Sequence, residues 1–308
     1  SFDLNSLYPH LIMQYNISPE TKMPNVGDMF TRNVITPDGI LKDSDFTNKY
    51  LDEWKEKDYS IASNGICFTR RFKGFLPAIM ERLYEERKIA KKKMIEAQQL
   101  QQSIPKMNMP NLGRHALNER CNKDISKYKN EQLVRKVQLN SAYGAIGNNY
   151  CRYYDVDLAE AVTISGQLSI RWIEKELNYF MNDLLKTEDE DYVVAIDTDS
   201  VYIGVDGIVD KFARGKSKEQ VVDILDKSAN DVFLPFINKK YEEMAKKVNA
   251  FQQKMKMGRE VIADKGIWTA KKRYILNVLD NEGVRYEEPK IKVIGIETTR
   301  ASTPEVVR

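Results

Sequence analysis

Two runs rich in β-branched and aromatic residues, Tyr192-Val193-Val194-Ala195-Ile196 and Val201-Tyr202-Ile203, are separated only by Asp197-Thr198-Asp199-Ser200. This constrains the chain more than any other stretch. Such runs favour strands, and so short a polar link makes them an antiparallel hairpin. The hairpin sets two carboxylates on a loop held by a sheet. On a flat strand Asp197 and Asp199 would share a face, but at a turn that period fails, so their roles stay unseparated. The bland account is a solvated turn with an Asx hydrogen bond, and the strand signals on both sides weigh against it.

Phe2-Asp3-Leu4 looks like the end of another strand, followed by a helix from about residue 6 with apolar Leu7, Leu11 and Ile12. Asp3 repeats the pattern of a carboxylate on an apolar, strand-like run. It could instead cap that helix, a use that suits Asn5 or Ser6 better. A third stretch, Lys136-Val137-Gln138-Leu139-Asn140-Ser141-Ala142-Tyr143-Gly144, spaces Lys136, Asn140 and Tyr143 at four and three, on one helix face. Arg87 and Lys91, four apart, also share a face. Two facing helices would present these three cations to one polyanion. Arg82, Lys88, Lys92 and Lys93 have Glu81, Glu85 and Glu86 close by and read equally as a solvated helix surface.

A chain of 308 residues, 42% hydrophobic and 30% charged, can bury a real core and hold one large domain or two modest ones. Forty-eight Lys plus Arg against forty-five Asp plus Glu leave +3, so any nucleic-acid affinity must come from local basic patches. Cys67, Cys121 and Cys151 are too far apart for a zinc or disulfide framework, which implies a reducing, intracellular setting. No run approaches the roughly 20 apolar residues that span a bilayer, so no membrane partner is expected. No Walker-type or dinucleotide-binding glycine motif and no internal repeat occurs, which leaves kinase-like and ATPase chemistry without support.

The spacing predicts a long polar helix over 78–102, interrupted by Pro105 and Pro110, and a second over 124–145, together an antiparallel hairpin. A packed helix is expected over 155–183, with Leu158, Val162, Ile170 and Ile173 among its apolar positions. Another is expected over 217–247, then a β-rich tail in which Asp280-Asn281-Glu282-Gly283 is a turn. The Pro, Gly and Asp-rich stretch 24–45 reads as loops and short strands. Strands and helices mix without strict βαβ alternation, so the fold class is α+β on an antiparallel sheet.

The three motifs, in this order, resemble the hallmark motifs of the B-family DNA polymerases. Asn16-Ile17-Ser18-Pro19-Glu20-Thr21, Gly147-Asn148, Lys271-Lys272-Arg273-Tyr274 and Glu297-Thr298 are similar to the T-even bacteriophage branch of that family. The resemblance implies a palm with an inserted helical-hairpin fingers domain: 1–77 the first part of the palm, partly loops, 78–148 the fingers, and 149–308 the second part of the palm. It implies template-directed DNA synthesis from dNTPs on primer–template DNA, in the host cytoplasm if phage-encoded. A sliding clamp is a further expected partner.

A 3′-hydroxyl is a poor nucleophile and pyrophosphate a highly charged leaving group, a problem that two Mg²⁺ ions roughly 3.5–4 Å apart solve, with Mn²⁺ able to substitute. Asp3 and Asp199 are the expected ligands. By resemblance they bridge both ions, the carbonyl of Leu4 helps hold the nucleotide-side ion, Asp197 ligates less directly, and Glu260 is an auxiliary acid. The resemblance also assigns Arg87, Lys91 and Lys136 to the triphosphate, Asn140 to support of the pocket, Tyr143 to the nascent base pair, and Ser6 and Leu7 to the nucleotide. Tyr8 is the expected sugar gate, packed under the C2′ position, though an isolated Tyr would read as core. Lys271, Lys272, Arg273 and Tyr274 are expected on a strand with alternating faces, gripping the primer end, with a charged edge strand as the alternative.

Three residues depart from the family pattern: Ile196 stands where glycine is usual, His10 replaces serine, and Asn5 replaces threonine. Ile196 is expected to crowd the catalytic turn, and His10 receives no role. The matched part is expected to be palm and fingers only, with the exonuclease and thumb portions absent and supplied as partners. A non-catalytic nucleotide- or nucleic-acid-binding fragment is the second hypothesis. A reverse transcriptase or RNA polymerase fits less well, because their catalytic turn typically ends in paired aspartates.

Overall fold

The computed structural model describes residues 1–23, 44–299 and 303–307. In chain order the elements are β1 (Phe2–Leu4), α1 (Leu7–Tyr15), α2 (Ser44–Lys57), β2 (Tyr59–Ile61), β3 (Cys67–Thr69), α3 (Phe75–Ser103) and α4 (Asn111–Ile146). They continue with α5 (Val156–Leu185), β4 (Val193–Asp197), β5 (Ser200–Ile203), α6 (Asp206–Phe212), α7 (Lys218–Ser228) and α8 (Leu234–Lys247). The chain then runs through β6 (Met257–Arg259), β7 (Val261–Ala270), β8 (Arg273–Asn281) and β9 (Val284–Ile294).

One antiparallel sheet has the order β4-β5-β1-β6, and a second has the order β7-β8-β9. The short strand β1 is therefore interior, pairing Asp3 with Ser200 on one side and with Gly258 on the other. Glu260 alone separates β6 from β7, so one residue joins the two sheets. Against the first sheet lies α5, with α1 packed on α5. Leu11, Ile12, Leu158, Val162 and Ile173 are all fully buried there, as their helical spacing requires. Asp155 starts α5 by accepting the Asp157 and Leu158 backbone N–H groups. The mixture of helices and antiparallel sheets fits the expected α+β class.

The long helices α3 and α4 pack along each other, with α1 across their bases. α3 starts at Phe75 because a distant segment caps it: Asn16 Oδ1, Glu20 Oε1 and Ser18 Oγ accept the N–H groups of Gly74, Phe75 and Leu76. α4 starts at Asn111, well before the expected residue 124. Pro110, in extended conformation, precedes it, and its first turns are tied to α3 by amides rather than by an apolar stripe: Gln101 Nε2 donates to Asn118 and Asn122. A polar seam of this kind leaves no periodicity to read.

The single helix expected over 217–247 is two. Ser217 opens α7 in a capping box with Gln220, and a π-turn, Ala229–Phe233, separates α7 from α8. Pro235 lacks the N–H an uninterrupted α-helix would use, and the wider turn absorbs that loss. The turn expected at Asp280-Asn281-Glu282-Gly283 is present between β8 and β9, with positive φ at Glu282 and Gly283. Most of the stretch 24–45 lies outside the described residues, and residues 44 and 45 begin α2. Among the described residues no helix is long and apolar enough to cross a membrane.

Candidate active site

The D-T-D-S tetrad forms the tight link between β4 and β5. Thr198 takes a left-handed conformation, φ 57°, and Asp199 N–H donates to the Asp197 carbonyl at 2.6 Å. Leu4 N–H donates to the Asp199 carbonyl at 2.9 Å, pinning the turn onto β1. Asp3 is held from the neighbouring strand by the Ser200 hydroxyl, 2.7 Å from its Oδ1. Ile196 pairs with Val201 inside β4 and packs on the core, so it lies outside the turn it was expected to crowd.

Burial, together with the charges of Asp199 and Glu260, pushes the Asp3 carboxyl up to about 6, although the Ser200 hydrogen bond opposes it. Asp199 is also raised, by burial first and then by Asp197 and Glu260. Two neighbouring lysines treat the four carboxylates unequally. Lys272 Nζ is 3.8 Å from Asp197, and Lys292 Nζ is 2.8 Å from Glu260. Asp3 and Asp199 make no ion pair with any described residue. Lys272 thus reaches Asp197 directly and acts on Asp199 only at longer range, a difference the sequence does not carry.

Asp3 and Asp199 floor a cleft of about 920 Å³. The β1–α1 turn, Leu4 to Tyr8, forms one wall, and Arg87 and Lys91 of α3 with Lys136, Asn140 and Tyr143 of α4 form the other. Ser6 occupies the N-cap position of α1 with φ 49°, yet its side chain caps nothing: its Oγ accepts from Arg87 Nη1 at 2.7 Å. Tyr8 and Tyr143 meet with ring centroids 4.6 Å apart. Glu282, at the β8–β9 turn, reaches the rim and lies 3.6 Å from Lys91 Nζ. The cleft thus joins an acidic floor to a cationic wall.

The model of DNA polymerase family B matches residues 1–108 and 112–308. The chain belongs to DNA polymerase family B. It is 36% identical over 347 residues to the DNA-directed DNA polymerase of Escherichia phage RB69 and 34% over 350 to that of Enterobacteria phage T4. Each alignment takes in 100% of this chain and 37% of the relative, so the chain spans little more than a third of the length of these relatives. DNA polymerase 1 of Pyrococcus abyssi is 24% identical over 310 residues, 100% of this chain and 28% of that protein.

In this B-family chain the donor set suits Mg²⁺, which takes hard oxygen ligands and is typically bound by one or two carboxylates completed by substrate phosphates. Among the described residues no three His, Cys, Asp or Glu side chains gather into a closed metal site. Asp3 and Asp199 are partly buried carboxylates without a direct ion pair among the described residues, beside a cationic wall. Glu260 stands near them but is engaged by Lys292.

The strand expected through Lys271-Lys272-Arg273-Tyr274 begins only at Arg273. Lys272 takes φ 61°, so the two lysines make the β7–β8 turn. Arg273 pairs with Glu297, and Tyr274 is 6% exposed with its hydroxyl 2.8 Å from that of Tyr202. Tyr274 therefore supports β5 and does not offer its ring to a ligand. His10 is packed, edge-on to Tyr84 with Nδ1 2.9 Å from the Ser6 carbonyl, and burial lowers its pKa. Arg82, Lys88 and Lys92 pair with Glu86, Glu85 and Glu96 along α3, as a solvated surface would. Lys292, Ser200 and Glu282 were not anticipated. Ser200 stands in the tetrad, but its bond to Asp3, like the arrival of Lys292 and Glu282, comes from the pairing of strands distant in sequence.

Proposed function

We propose that this chain is the palm and fingers core of a template-directed DNA polymerase, adding dNTPs to a primer 3′-hydroxyl. The observation that carries this is the pair Asp3 and Asp199, engaged in no direct ion pair among the described residues, on the floor of a cleft whose opposite wall holds Arg87, Lys91 and Lys136. Bound Mg²⁺ ions would supply activation of the attacking hydroxyl and neutralisation of the leaving pyrophosphate. The protein's part is positioning and electrostatics. Asp3 and Asp199 would hold the ions, helped by the Leu4 carbonyl, while Asp197 is turned partly to Lys272.

Arg87, Lys91 and Lys136 bind the triphosphate, and the Lys91 contact with Glu282 gives way to phosphate. Asn140 supports the pocket. Tyr8, backed by Tyr143, lies under the sugar and excludes a 2′-hydroxyl by sterics. Lys271 and Lys272, exposed at their turn, grip the primer backbone, a role that phosphate contact can fill without base readout.

The test is single-nucleotide extension of a labelled primer on a DNA template with Mg²⁺ or Mn²⁺, comparing the intact chain with Asp199→Ala. Extension by the first and none by the second is the expected result. If neither extends the primer while both stay folded and bind nucleotide, the chain is a nucleotide-binding part of a polymerase that needs further portions for catalysis.

A further inference from the structure

Lys292 lies on β9, opposite Leu276 of β8, far in sequence from every motif of the site. Its ammonium group is 2.8 Å from Glu260 Oε1, and the two side chains are only 29% and 24% exposed. Glu260 is the hinge residue between the two sheets. It directly follows β6, whose Gly258 pairs with Asp3, and its own N–H donates to the Ser1 carbonyl at 3.0 Å, which holds it beside β1; its charge acts on both Asp3 and Asp199. Its backbone is fixed as well, since the Glu282 N–H donates to the Glu260 carbonyl at 2.7 Å. Glu260 is thus a third carboxylate close to the ion-binding pair, and Lys292 is its one ionic partner among the described residues.

We propose that Lys292 is a positioning residue: it holds the Glu260 carboxylate off the ions and so sets how tightly Asp3 and Asp199 take divalent cations. This rests on the reading of Asp3 and Asp199 as the ion-binding pair. Without the lysine, Glu260 would stand uncompensated near them and add a full negative charge to the field at the floor. The site would then bind cations more tightly than turnover requires. Without the glutamate, the lysine charge would repel the same cations. The two losses have opposite signs, which a merely structural strut would not produce.

The experiment is Mn²⁺ titration followed by electron paramagnetic resonance, without DNA or nucleotide, on the intact chain, Lys292→Met, Lys292→Arg, Glu260→Gln, the Lys292→Met/Glu260→Gln double variant and Asp199→Asn. Lys292→Met is expected to bind Mn²⁺ about tenfold more tightly, and Glu260→Gln about tenfold more weakly, as one unit charge at close range and intermediate dielectric implies. Lys292→Arg should keep the original affinity, and the double variant should return close to it. The Mg²⁺ concentration for half-maximal primer extension should shift in the same order. Unchanged Mn²⁺ affinity in folded Lys292→Met, or in folded Glu260→Gln, overturns the proposal while leaving the ion pair reading intact. If Asp199→Asn binds Mn²⁺ as the intact chain does, or the intact chain binds none, the ion-site reading falls and Lys292 falls with it.

Discussion

At the scale of single residues, Tyr8 and Asp280 show how one side chain can serve selectivity or fold. The Tyr8 ring packs against that of Tyr143, centroids 4.6 Å apart, and on the proposed reading it lies under the sugar. Tyr8→Ala should therefore accept ribonucleotides, cutting discrimination by on the order of 100-fold, the range that a steric pocket supplies. Paired single-turnover measurements with dCTP and CTP check this. Equal discrimination in the two proteins would return Tyr8 to the core. Asp280 is fully buried between Arg259 and Arg285, and its Oδ1 also accepts the Gly283 N–H at 2.9 Å. Burial alone would raise its pKa, but these donors overcome it and hold the group below the ordinary 3.8. A carboxyl lowered in the folded state stabilises above its unfolded pKa, and the benefit is lost as pH falls through the folded value. Asp280→Asn should thus cost about 3 kcal/mol at neutral pH, because it leaves the buried Arg259 short of a partner. It should also show a shallower loss of stability in acid, read from urea midpoints between about pH 5 and pH 2.

At the scale of elements, the stretch Asn16-Ile17-Ser18-Pro19-Glu20-Thr21 explains how the helical hairpin is anchored. Asn16, fully buried and left-handed at the end of α1, donates to the Thr69 and Phe72 carbonyls at 2.8 and 2.9 Å and accepts the Gly74 N–H at 2.9 Å. It ties the end of one helix to the start of another. A Cβ on Gly74 would lie 2.6 Å from Ser18 Cβ, so the chain can pass there only as glycine. Asn16→Ala should destabilise by about 3 kcal/mol, since it orphans buried carbonyls as well as an N–H. A denaturation midpoint unchanged from the parent protein would contradict this. The elements that were legible in sequence are those whose signal is local: the β4–β5 hairpin with its Asp tetrad, the apolar stripe of α5, and the spacings of Arg87 with Lys91 and of Lys136 with Asn140 and Tyr143. The early start of α4 was hidden because its seam is made by Gln101 and asparagines. The break between α7 and α8 was visible only as Pro235, which fits a first helical turn as readily as it stops a helix. Lys292, Glu282 and the burial of Tyr274 depend on the register of β8 with β9 and on the stacking of two sheets, and no window of sequence carries that.

At the scale of the whole molecule, the site is where the fold gives up stability for function. Asp3 sits on an interior strand between β5 and β6, and its carboxyl is raised to about 6 by burial and by its acidic neighbours. For a carboxyl raised in the folded state the sign is the reverse of that for Asp280: folding is unpenalised below the unfolded pKa, and stability is lost as pH rises through the folded value. At pH 8 the ionised Asp3 therefore strains the apo-protein. Asp3→Asn should stabilise it there by on the order of 1–2 kcal/mol, allowing for the solvent that still reaches the group. Divalent cations should relieve the same strain in the parent protein, because a ligand that binds only the folded state stabilises by mass action. Thermal melts at pH 8 should accordingly show the parent rising with added Mg²⁺ or Mn²⁺ and falling back with EDTA, while Asp3→Asn starts higher and responds to neither. At pH 5 the difference between the two apo-proteins should shrink, since the parent carboxyl is then largely protonated. A parent chain already as stable as Asp3→Asn at pH 8 without metal would mean that the floor of the cleft carries no electrostatic strain for an ion to relieve.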